Sequence, residues 1–289
     1  MISPFHECRA PGRGVRDAAF FMTIGKAIVL SAGKGSRLLP LTAERPKCLI
    51  DLNGRSLLEW QLEALQGAGI GDIVVVTGFA EETVAEVTGR RSGVRTLFNP
   101  FYHVADNLGS VWMARAELDR DTLLLNGDTL ISPRLLERVL EAETGPIAVT
   151  VDEKESYDSD DMKVLRDGDR LVRIGKALEP GEYNAESIGL LAFRGEGPRL
   201  FADQVDRMMR QPDGTRRWYL RAVDALAQAG ADVRTVSIRG EEWQEVDFPE
   251  DVEAAKALTG RWASVIPAKA GIQPESAREG KAGSPLSRG

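Results

Sequence analysis

The amino-acid sequence predicts an α/β fold, in which a Rossmann-like, mostly parallel mixed sheet is flanked by helices. Three observations indicate this class. Short apolar runs typical of buried strands alternate with amphipathic, helix-like stretches. A glycine-rich turn directly follows the first of these strands, an arrangement that holds phosphates in many proteins. The length of 289 residues is enough for one large domain with a full core.

The first half of the chain is predicted to form βαβ units, because apolar strands alternate with amphipathic stretches. The expected strands are Lys26–Leu30, Asp72–Thr77, Arg95–Phe98 and Thr122–Asn126. The expected helices are Leu57–Gln66, Glu81–Thr88, Ser110–Leu118 and Pro133–Glu143. Strands connected through helices in this way lie parallel in one sheet.

After Gly145 the pattern becomes more mixed and antiparallel in character. The expected strands are Ile147–Val151, Lys163–Arg166, Leu171–Ile174, Ser187–Phe193 and Val233–Ile238, with helices near Pro198–Met209 and Tyr219–Ala229. No internal repeat is visible in the sequence. We therefore expect one α/β domain over residues 23–262, a disordered leader at residues 1–22 with Met22 as the natural start, and a disordered tail at residues 263–289.

The composition excludes several classes of function. The formal net charge of -7 argues against a surface that follows nucleic-acid phosphates. No apolar run approaches the roughly 20 residues that span a bilayer, so we expect no membrane partner. With two cysteines and two histidines, the chain lacks a disulfide framework and the paired imidazoles of histidine-based catalysis. We expect a cytoplasmic protein whose chemistry uses lysine, arginine and carboxylates.

The glycine-rich segment after the first strand is the most informative part of the sequence. Gly33 and Gly35 let backbone N–H groups approach phosphate oxygens. Arg37 adds a fork of donors, and Lys47 adds a compact positive charge. A dinucleotide-binding fingerprint would need a small residue in place of Leu38, and a Walker loop needs four residues between its glycines. The segment therefore indicates a different triphosphate cradle, with a solvated basic turn as the simpler alternative.

Four segments resemble the signature of the nucleotidyltransferase superfamily that activates sugar-1-phosphates and phospho-alcohols. They are Leu30–Thr42, Arg45–Leu49, Asn126–Asp128 and Glu245–Asp251. These motifs extend over nearly all of the chain that we expect to be ordered. The resemblance implies the fold of the nucleotide-diphospho-sugar transferases, with a nucleotide-binding half at about 23–145 and an acceptor-binding half at about 146–262.

The same resemblance implies a set of site residues. The catalytic residues would be Arg37, Lys47, Asp128 and Asp247, and the nucleotide would contact Ser31, Ala32, Gly33, Lys34, Gly35, Ser36, Arg37, Lys47, Gly78, Asn107, Gly109, Ser110 and Asp128. The implied cofactor is Mg²⁺, held by Asp128, Glu245 and Asp247, because Mg²⁺ prefers carboxylates and water. The alternatives are an ordinary turn at Asp128 and a helix N-cap at Asp247.

Within the superfamily, three segments resemble the phosphocholine cytidylyltransferases: Asp106–Trp112, Trp218–Tyr219 and Glu245–Asp247. The resemblance assigns acceptor binding to Lys176, Glu186, Trp112 and Trp218. Lys176 would meet the acceptor's phosphate, and the tryptophans would offer faces to a quaternary ammonium, with ordinary packing as the alternative. The loop Tyr157–Met162 departs from the phosphocholine enzymes, and Glu186 would suit sugar or inositol hydroxyls equally well.

The expected reaction transfers CMP from CTP to a phospho-alcohol such as phosphocholine, giving a CDP-alcohol and pyrophosphate. A phosphate monoester is largely dianionic at neutral pH, with a second pKa of about 6, so it needs no side-chain base. Two alternatives stay open: a sugar-1-phosphate or inositol-phosphate nucleotidyltransferase, and a non-catalytic nucleotide-binding regulatory subunit. The expected partners are CTP or another nucleoside triphosphate and a small phosphorylated acceptor, with a homodimer as a possible assembly.

Overall fold

The computed structural model describes residues 24–265. The predicted leader at residues 1–22 lies outside the described residues. The last helix continues through Val265, so residues 263–265, which the sequence assigns to the tail, belong to that helix. The rest of the predicted tail also lies outside the described residues.

The described residues form a series of strands joined by helices. The strands are β1 (Lys26–Leu30), β2 (Asp72–Thr77), β3 (Val94–Phe98), β4 (Thr122–Asn126), β5 (Thr129–Ile131), β6 (Ile147–Asp152), β7 (Lys163–Asp167), β8 (Arg170–Ile174), β9 (Ala185–Phe193), β10 (Val233–Ser237) and β11 (Trp243–Glu245). The helices are α1 (Leu57–Gly67), α2 (Glu81–Thr88), α3 (Asn107–Met113), α4 (Pro133–Glu141), α5 (Gly197–Met209), α6 (Leu220–Gln228) and α7 (Pro249–Val265). Within residues 24–265, no helix combines the length and the apolar character needed to cross a membrane.

Nine strands form one sheet in the order β3-β2-β1-β4-β9-β6-β10-β8-β7. The neighbours β3, β2, β1 and β4 are parallel, as predicted for the first half of the chain. In the second half, β9 runs antiparallel between β4 and β6, while β10 is parallel to β6. A second small sheet consists of β5 and β11. The predicted α/β class with a mixed, mostly parallel sheet is confirmed.

The sequence prediction lacks the strands β5 and β11 and places the start of helix α3 too late. The strands β5 and β11 have three residues each, too few to show a strand periodicity in the sequence. Helix α3 begins at Asn107 rather than at Ser110, and it gives way to a short 3-10 turn at Arg115–Glu117. Asn and Gly are poor helix formers, so the first turn of α3 carries no sequence signal.

Alternate residues of the central strands pack into two core clusters on opposite faces of the sheet. Ile28 and Val74 belong to the cluster that includes α3, α5 and α6. Val29 and Val75 belong to the cluster that includes α1 and α4. Each fully buried side chain of this size contributes about 1.5–3 kcal/mol to the stability of the fold.

A third core cluster joins the two ends of the domain. It packs Leu38, from the loop after β1, with Val246, which follows β11. Helices α1 and α7 complete it, and the rings of Trp60 and Trp262 meet edge to face with centroids 6.1 Å apart. The loops after β1 and before α7 are therefore anchored in one common core.

Candidate active site

The candidate site lies at the carboxyl ends of β1 and β4, which are neighbours in the sheet. Leu30 at the end of β1 pairs with Asn126 at the end of β4. The turn after β4 closes onto β1, because the N–H of Gly127 donates to the Leu30 carbonyl at 3.0 Å. A Cβ at Gly127 would lie 2.4 Å from that oxygen, so this turn requires glycine. The loop after β1, residues 31–38, is called the glycine loop. It emerges with Asp128 at one edge of the sheet, where open α/β folds bind ligands.

The glycine loop approaches Lys47 closely. Gly35 has a left-handed backbone with φ of 74°, and a Cβ there would lie 2.7 Å from the Cβ of Lys47. Thr42 Oγ1 donates to the Gly35 carbonyl at 2.7 Å, and Leu38 is fully buried. The loop is therefore held in place on both sides of Arg37, and Gly35 gives Lys47 the space to lie against it.

Lys47 joins two carboxylates from distant parts of the chain. Its Nζ donates to Asp128 Oδ2 at 2.9 Å and also contacts Asp247 Oδ1. Burial opposes the charge of this lysine, but Asp128 and Asp247 outweigh burial and raise the pKa of Lys47 above its usual value. The ammonium is therefore a cation fixed between the two acidic residues, although 200 residues separate Lys47 from Asp247.

Arg37 continues the same network towards solvent. Its Nη1 donates to Asp247 Oδ2 at 3.2 Å and lies 3.3 Å from Asp160 Oδ2. Asp160 Oδ1 in turn lies 3.9 Å from the Nζ of Lys176. The three basic side chains that the sequence assigns to phosphates, Arg37, Lys47 and Lys176, thus each contact a carboxylate of this chain.

The small sheet of β5 and β11 brings a third carboxylate to the site. Glu245 pairs with Thr129 across this sheet, and the N–H of Val246 donates to the Asp128 carbonyl at 3.0 Å. One carboxylate oxygen from each of Asp128, Glu245 and Asp247 lies within 4.8 Å of the other two. The structure therefore brings together the three residues that the sequence assigns to a metal.

This triad fits a magnesium ion. Asp128 Oδ1 is buried and has no hydrogen-bond partner among residues 24–265. A buried oxygen without a partner is costly unless a cation or a water meets it. Glu245 is exposed as a residue, but loss of water around its carboxylate and the nearby charges of Asp128 and Asp247 raise the pKa of Glu245 above its usual value. A divalent cation would relieve this crowding of acidic groups, and its preferred ligands are the oxygens present.

Asp251 fixes the segment that carries Asp247. Its Oδ2 accepts the backbone N–H groups of Asp247 at 2.9 Å and of Phe248 at 2.7 Å. Its Oδ1 accepts Nε2 of Gln244 at 3.3 Å. Asp251 lies in the first turn of α7, where the helix dipole also favours a negative charge. The side chain of Asp247 points to the basic residues of the site, so the N-cap alternative for this residue does not apply.

A cavity of about 260 Å³ lies between the glycine loop and the start of α3. The members of the predicted nucleotide set that line it are Ala32, Gly33, Asn107, Ser110 and Asp128. Asn107 Oδ1 accepts the N–H of Tyr219 at 3.0 Å, which fixes this side chain with its amide nitrogen as the remaining donor. The structure therefore places a preformed pocket beside the glycine loop and Asp128.

The other members of the predicted set do not line this cavity. Gly78 packs against Tyr102, where a Cβ would lie 2.5 Å from the tyrosine Cβ. The ammonium of Lys34 lies 5.0 Å from the centre of the Phe79 ring. Ser31 is buried at the end of β1, Ser36 opens a short 3-10 turn, and Gly109 is buried in α3.

Asn126 and Tyr219 support the site, although the sequence reasoning did not assign them to it. Tyr219 is fully buried, and its hydroxyl donates to Asn126 Oδ1 at 2.9 Å. Gly189 has φ of 76°, and a Cβ there would lie 2.3 Å from the Asn126 amide nitrogen. From the other side, Gln61 Nε2 donates to the carbonyls of Asn126 and Thr129, both at 2.8 Å. A buried Gln in an amphipathic helix, or a buried Tyr just before one, carries no sequence signal that separates such a role from packing.

A second cavity, of about 520 Å³, adjoins the metal triad. It is lined by Asp152, Lys154, Asp158, Ser159, Asp160, Asp161, Trp243, Gln244, Glu245, Asp247, Phe248 and Asp251. Carboxylates dominate this lining, with Lys154 as its basic member. Trp243 provides an aromatic wall, and its indole N–H donates to Asp152 Oδ2 at 2.8 Å. Aromatic faces and carboxylates together favour a positively charged ligand group.

Two predicted acceptor residues lie next to this cavity. Lys176 contacts Asp160 in its lining, and the Lys176 ammonium lies 4.8 Å from the centre of the exposed Trp218 ring. Glu186 is buried, and its Oε1 contacts Nζ of Lys154 at 2.5 Å. Burial raises the pKa of Glu186 to about 7, although Lys154 opposes this shift. Glu186 therefore pairs with a lysine of the cavity instead of lining it.

Trp112, another predicted acceptor residue, lies elsewhere. Its indole N–H donates to Asp206 Oδ1 on α5 at 3.0 Å, and the guanidinium of Arg115 covers its ring at 4.2 Å. Trp112 is thus part of the packing between α3 and α5, and it lines neither cavity. The aromatic wall beside the metal triad is Trp243. The sequence did not indicate it, because a strand of three residues is too short to show a hydrophobic pattern.

Comparison with known proteins finds several that this chain resembles. Residues 27–165 match the model of the MobA-like NTP transferase domain. The chain is 32% identical over 246 residues to the CMP-5'-(3-aminopropyl)phosphonate synthase of Streptomyces rubellomurinus, covering 80% of this chain and 38% of that protein. It is 25% identical over 248 residues to the CTP:phosphoglutamine cytidylyltransferase of Campylobacter jejuni, covering 78% of this chain and 97% of that protein.

A solved structure shares the fold. The CTP:phosphocholine cytidylyltransferase of Streptococcus pneumoniae superposes with a TM-score of 0.69 at 22% identity, covering 81% of this chain and 98% of that one. At this identity the likeness shows the fold alone. The chain spans less than two fifths of the Streptomyces relative but nearly the whole Campylobacter relative.

Proposed function

Because this chain belongs to the nucleotidyltransferase superfamily, with a MobA-like NTP transferase domain at residues 27–165, we propose that it is a Mg²⁺-dependent cytidylyltransferase. It would transfer CMP from CTP to a small phosphorylated or phosphonylated acceptor that bears an ammonium group, with phosphocholine as the first example. The products are pyrophosphate and either a CDP-linked alcohol, from a phosphate acceptor, or a CMP-linked phosphonate, from a phosphonate acceptor. The named activities of the Streptomyces, Campylobacter and Streptococcus proteins support cytidylyl transfer.

The observation that carries this proposal is the convergence of Lys47 with Asp128 and Asp247 beside the glycine loop. The loop provides backbone donors for phosphates, and the carboxylates provide ligands for Mg²⁺. Arg37 joins the same network through Asp247. A site that combines phosphate donors, basic side chains and metal ligands suits the transfer of a nucleotidyl group between anions.

In the proposed reaction, an oxygen of the acceptor attacks the α-phosphorus of CTP, and the bond to the leaving pyrophosphate breaks. The attacking group is already an anion, so no side chain needs to remove a proton from it. The chain's task is to bring two anions together and stabilise the charge, for which Arg37, Lys47 and Lys176 are placed around the carboxylates. Mg²⁺, held by Asp128, Glu245 and Asp247, would neutralise phosphate charge and act as a Lewis acid.

The acidic cavity beside the metal triad supports an acceptor with a positive charge. Its lining has seven carboxylates and one basic residue, Lys154, whose ammonium lies 5.8 Å from the centre of the Trp243 ring. This excess of negative charge suits an ammonium better than a neutral polyol. Glu186, the residue that would favour sugar hydroxyls, is engaged with Lys154. Phosphocholine, phosphoethanolamine and short aminoalkylphosphonates combine an ammonium with a dianionic oxygen group, as this geometry requires.

The test measures pyrophosphate release with each of four nucleoside triphosphates against phosphocholine, phosphoethanolamine, 3-aminopropylphosphonate, inositol-1-phosphate and glucose-1-phosphate. We expect the highest rate with CTP and an ammonium-bearing acceptor. Turnover limited to the inositol or sugar phosphates would replace the proposal with the corresponding nucleotidyltransferase. The absence of release with every pair would favour a regulatory nucleotide-binding protein.

Asp128→Asn is the matched variant for the catalytic site, because it keeps the shape of the side chain but removes its charge. We expect a loss of at least about 100-fold in turnover, the usual cost of removing one preorganised electrostatic group. Asp203→Asn, at an exposed position of α5 whose ion pair is with Arg199, is the control and should leave the rate unchanged. Equal rates for Asp128→Asn and the unmodified protein would contradict the proposed metal site.

A further inference from the structure

The cations and carboxylates of the site neutralise one another in the structure described here. Lys47 lies between Asp128 and Asp247, where 13% of its side-chain surface is exposed. In the proposed reaction these same groups have other partners, since a lysine binds phosphate and the carboxylates bind a divalent ion. Substrate binding therefore has to give Lys47, Asp128 and Asp247 new partners.

We propose that Lys47 is a stand-in cation, which neutralises Asp128 and Asp247 in the free protein and leaves them for a nucleotide phosphate only when a divalent ion binds between these carboxylates. This inference rests on the proposed function and concerns the order in which its components bind. The ammonium and the divalent ion compete for the same oxygens. Nucleotide and ion should consequently bind together, each favouring the other.

The geometry explains why neither ligand binds well alone. Nucleotide alone would meet a lysine already engaged with Asp128 Oδ2 at 2.9 Å and with Asp247, so it would have to separate a mostly buried ion pair. A divalent ion alone would displace the ammonium and leave it partly buried without a counter-charge. When both arrive, each carboxylate and the ammonium keep a partner of opposite charge. This is a coupling free energy between two ligands, and such coupling is reciprocal.

Removal of the positive charge of Lys47 should therefore strengthen metal binding. We expect Lys47→Met to bind Mn²⁺, used as the probe ion without nucleotide, on the order of tenfold more tightly than the unmodified protein, because its carboxylates no longer have a competing donor. Electron paramagnetic resonance of free Mn²⁺ measures this affinity directly. The measurement does not depend on turnover.

Two further variants serve as controls. Lys47→Arg retains the positive charge and should keep Mn²⁺ binding as weak as in the unmodified protein. Arg45→Gln makes the same change in net charge as Lys47→Met at an exposed position two residues away, and should also leave the Mn²⁺ affinity unchanged. A rise in affinity for Arg45→Gln as large as that for Lys47→Met would show a general charge effect and would overturn the proposal.

The coupling between CTP and Mn²⁺ binding can be measured as well. CTP should strengthen Mn²⁺ binding to the unmodified protein, after correction for the Mn²⁺–CTP complex in solution, and this enhancement should fall several-fold in Lys47→Met. A folded Lys47→Met protein, as judged by circular dichroism, that binds Mn²⁺ no more tightly than the unmodified protein refutes the stand-in role. Failure of the proposed function is a separate result, since it appears as absent pyrophosphate release in the unmodified protein whatever its Mn²⁺ affinity.

Discussion

At the scale of single residues, charge and burial conflict most clearly at Glu186. Its side chain is almost completely buried, and its partner Lys154 comes from the loop beside the acidic cavity. Burial raises the pKa of Glu186 to about 7 from its ordinary value of 4.5. At this residue the folded protein therefore binds a proton more tightly than the unfolded protein does. The contribution of this proton to the stability of the fold is complete below pH 4.5 and is lost as the pH rises through about 7.

This shift predicts a pH-dependent effect of Glu186→Gln. As the pH rises from about 4.5 to 7, the unmodified protein loses stability through the ionisation of Glu186, whereas the glutamine variant has no such group. Urea unfolding at pH 5 and pH 8 should show the variant gaining stability relative to the unmodified protein at the higher pH, by roughly 1–3 kcal/mol. A difference that is the same at both pH values would contradict the assigned pKa direction.

The sequence predicts candidate site residues where a local motif carries the signal, and it gives no signal where a distant contact alone positions the side chain. The sequence signal lies within one short motif for Gly33, Gly35 and Arg37, and within another short motif for Asp128. Trp243 could not be predicted as the aromatic wall of the acidic cavity, because the pairing of β11 with β5 that positions it joins segments more than one hundred residues apart. For the same reason nothing in the sequence separates it from Trp112, which packs against α5.

At the scale of secondary-structure elements, α1 supports the turn that carries Asp128. This helix begins with a capping box in which Ser56 and Glu59 bond each other's backbone N–H groups. Gln61, one turn further on, is completely buried and donates to the carbonyls on either side of Asp128. The helix therefore fixes the turn by hydrogen bonds as well as by apolar packing.

We expect Gln61→Leu to destabilise the domain at the turn that carries Asp128. The change leaves the buried carbonyls of Asn126 and Thr129 without these donors, at a cost of about 1–3 kcal/mol for each group that finds no substitute. Urea unfolding measures this loss. Gln66→Leu is a matched control near the end of α1, because Gln66 is not fully buried and donates to an exposed carbonyl at Ser92. Equal losses for the two variants would show that Gln61 has no special role in holding the turn.

The elements themselves were predictable where a strand is long and buried. The boundaries of β1, β2 and β4 agree with the sequence prediction, because continuous apolar runs are bounded there by glycine or polar residues. The start of α3 was not predictable, since Asn107 is held in its first turn by the backbone of Tyr219, more than one hundred residues away. Tertiary contacts, rather than local propensity, decide that boundary.

At the scale of the whole molecule, nucleotide and metal contacts would join both halves of the domain. The cavity beside the glycine loop belongs to the first half, while Glu245 and Asp247 belong to the second. Ligands that bind across the two halves stabilise the folded state by mass action. We therefore expect the largest stabilisation when CTP and Mg²⁺ are present together.

Differential scanning calorimetry tests this expectation. At about 100 times the dissociation constant, a ligand stabilises the folded state by about 2.7 kcal/mol, which raises Tm by roughly 5–10 °C for a domain of this size. CTP without Mg²⁺, and Mg²⁺ without CTP, should each give a much smaller shift, and GTP with Mg²⁺ serves as the control for the base. Full shifts with the separate components would contradict their joint binding.

The pairing of Lys47 with Asp247 has a consequence for synthesis of the protein. These residues are 200 positions apart, and the third core cluster that holds both neighbouring loops needs α7 as well. A ribosome adding about 5–20 residues per second takes on the order of 10–40 s to make the intervening polypeptide. During that interval the nascent chain already contains the glycine loop but cannot assemble the complete site. A truncated translation product that ends before β11 would therefore be inactive rather than partially active.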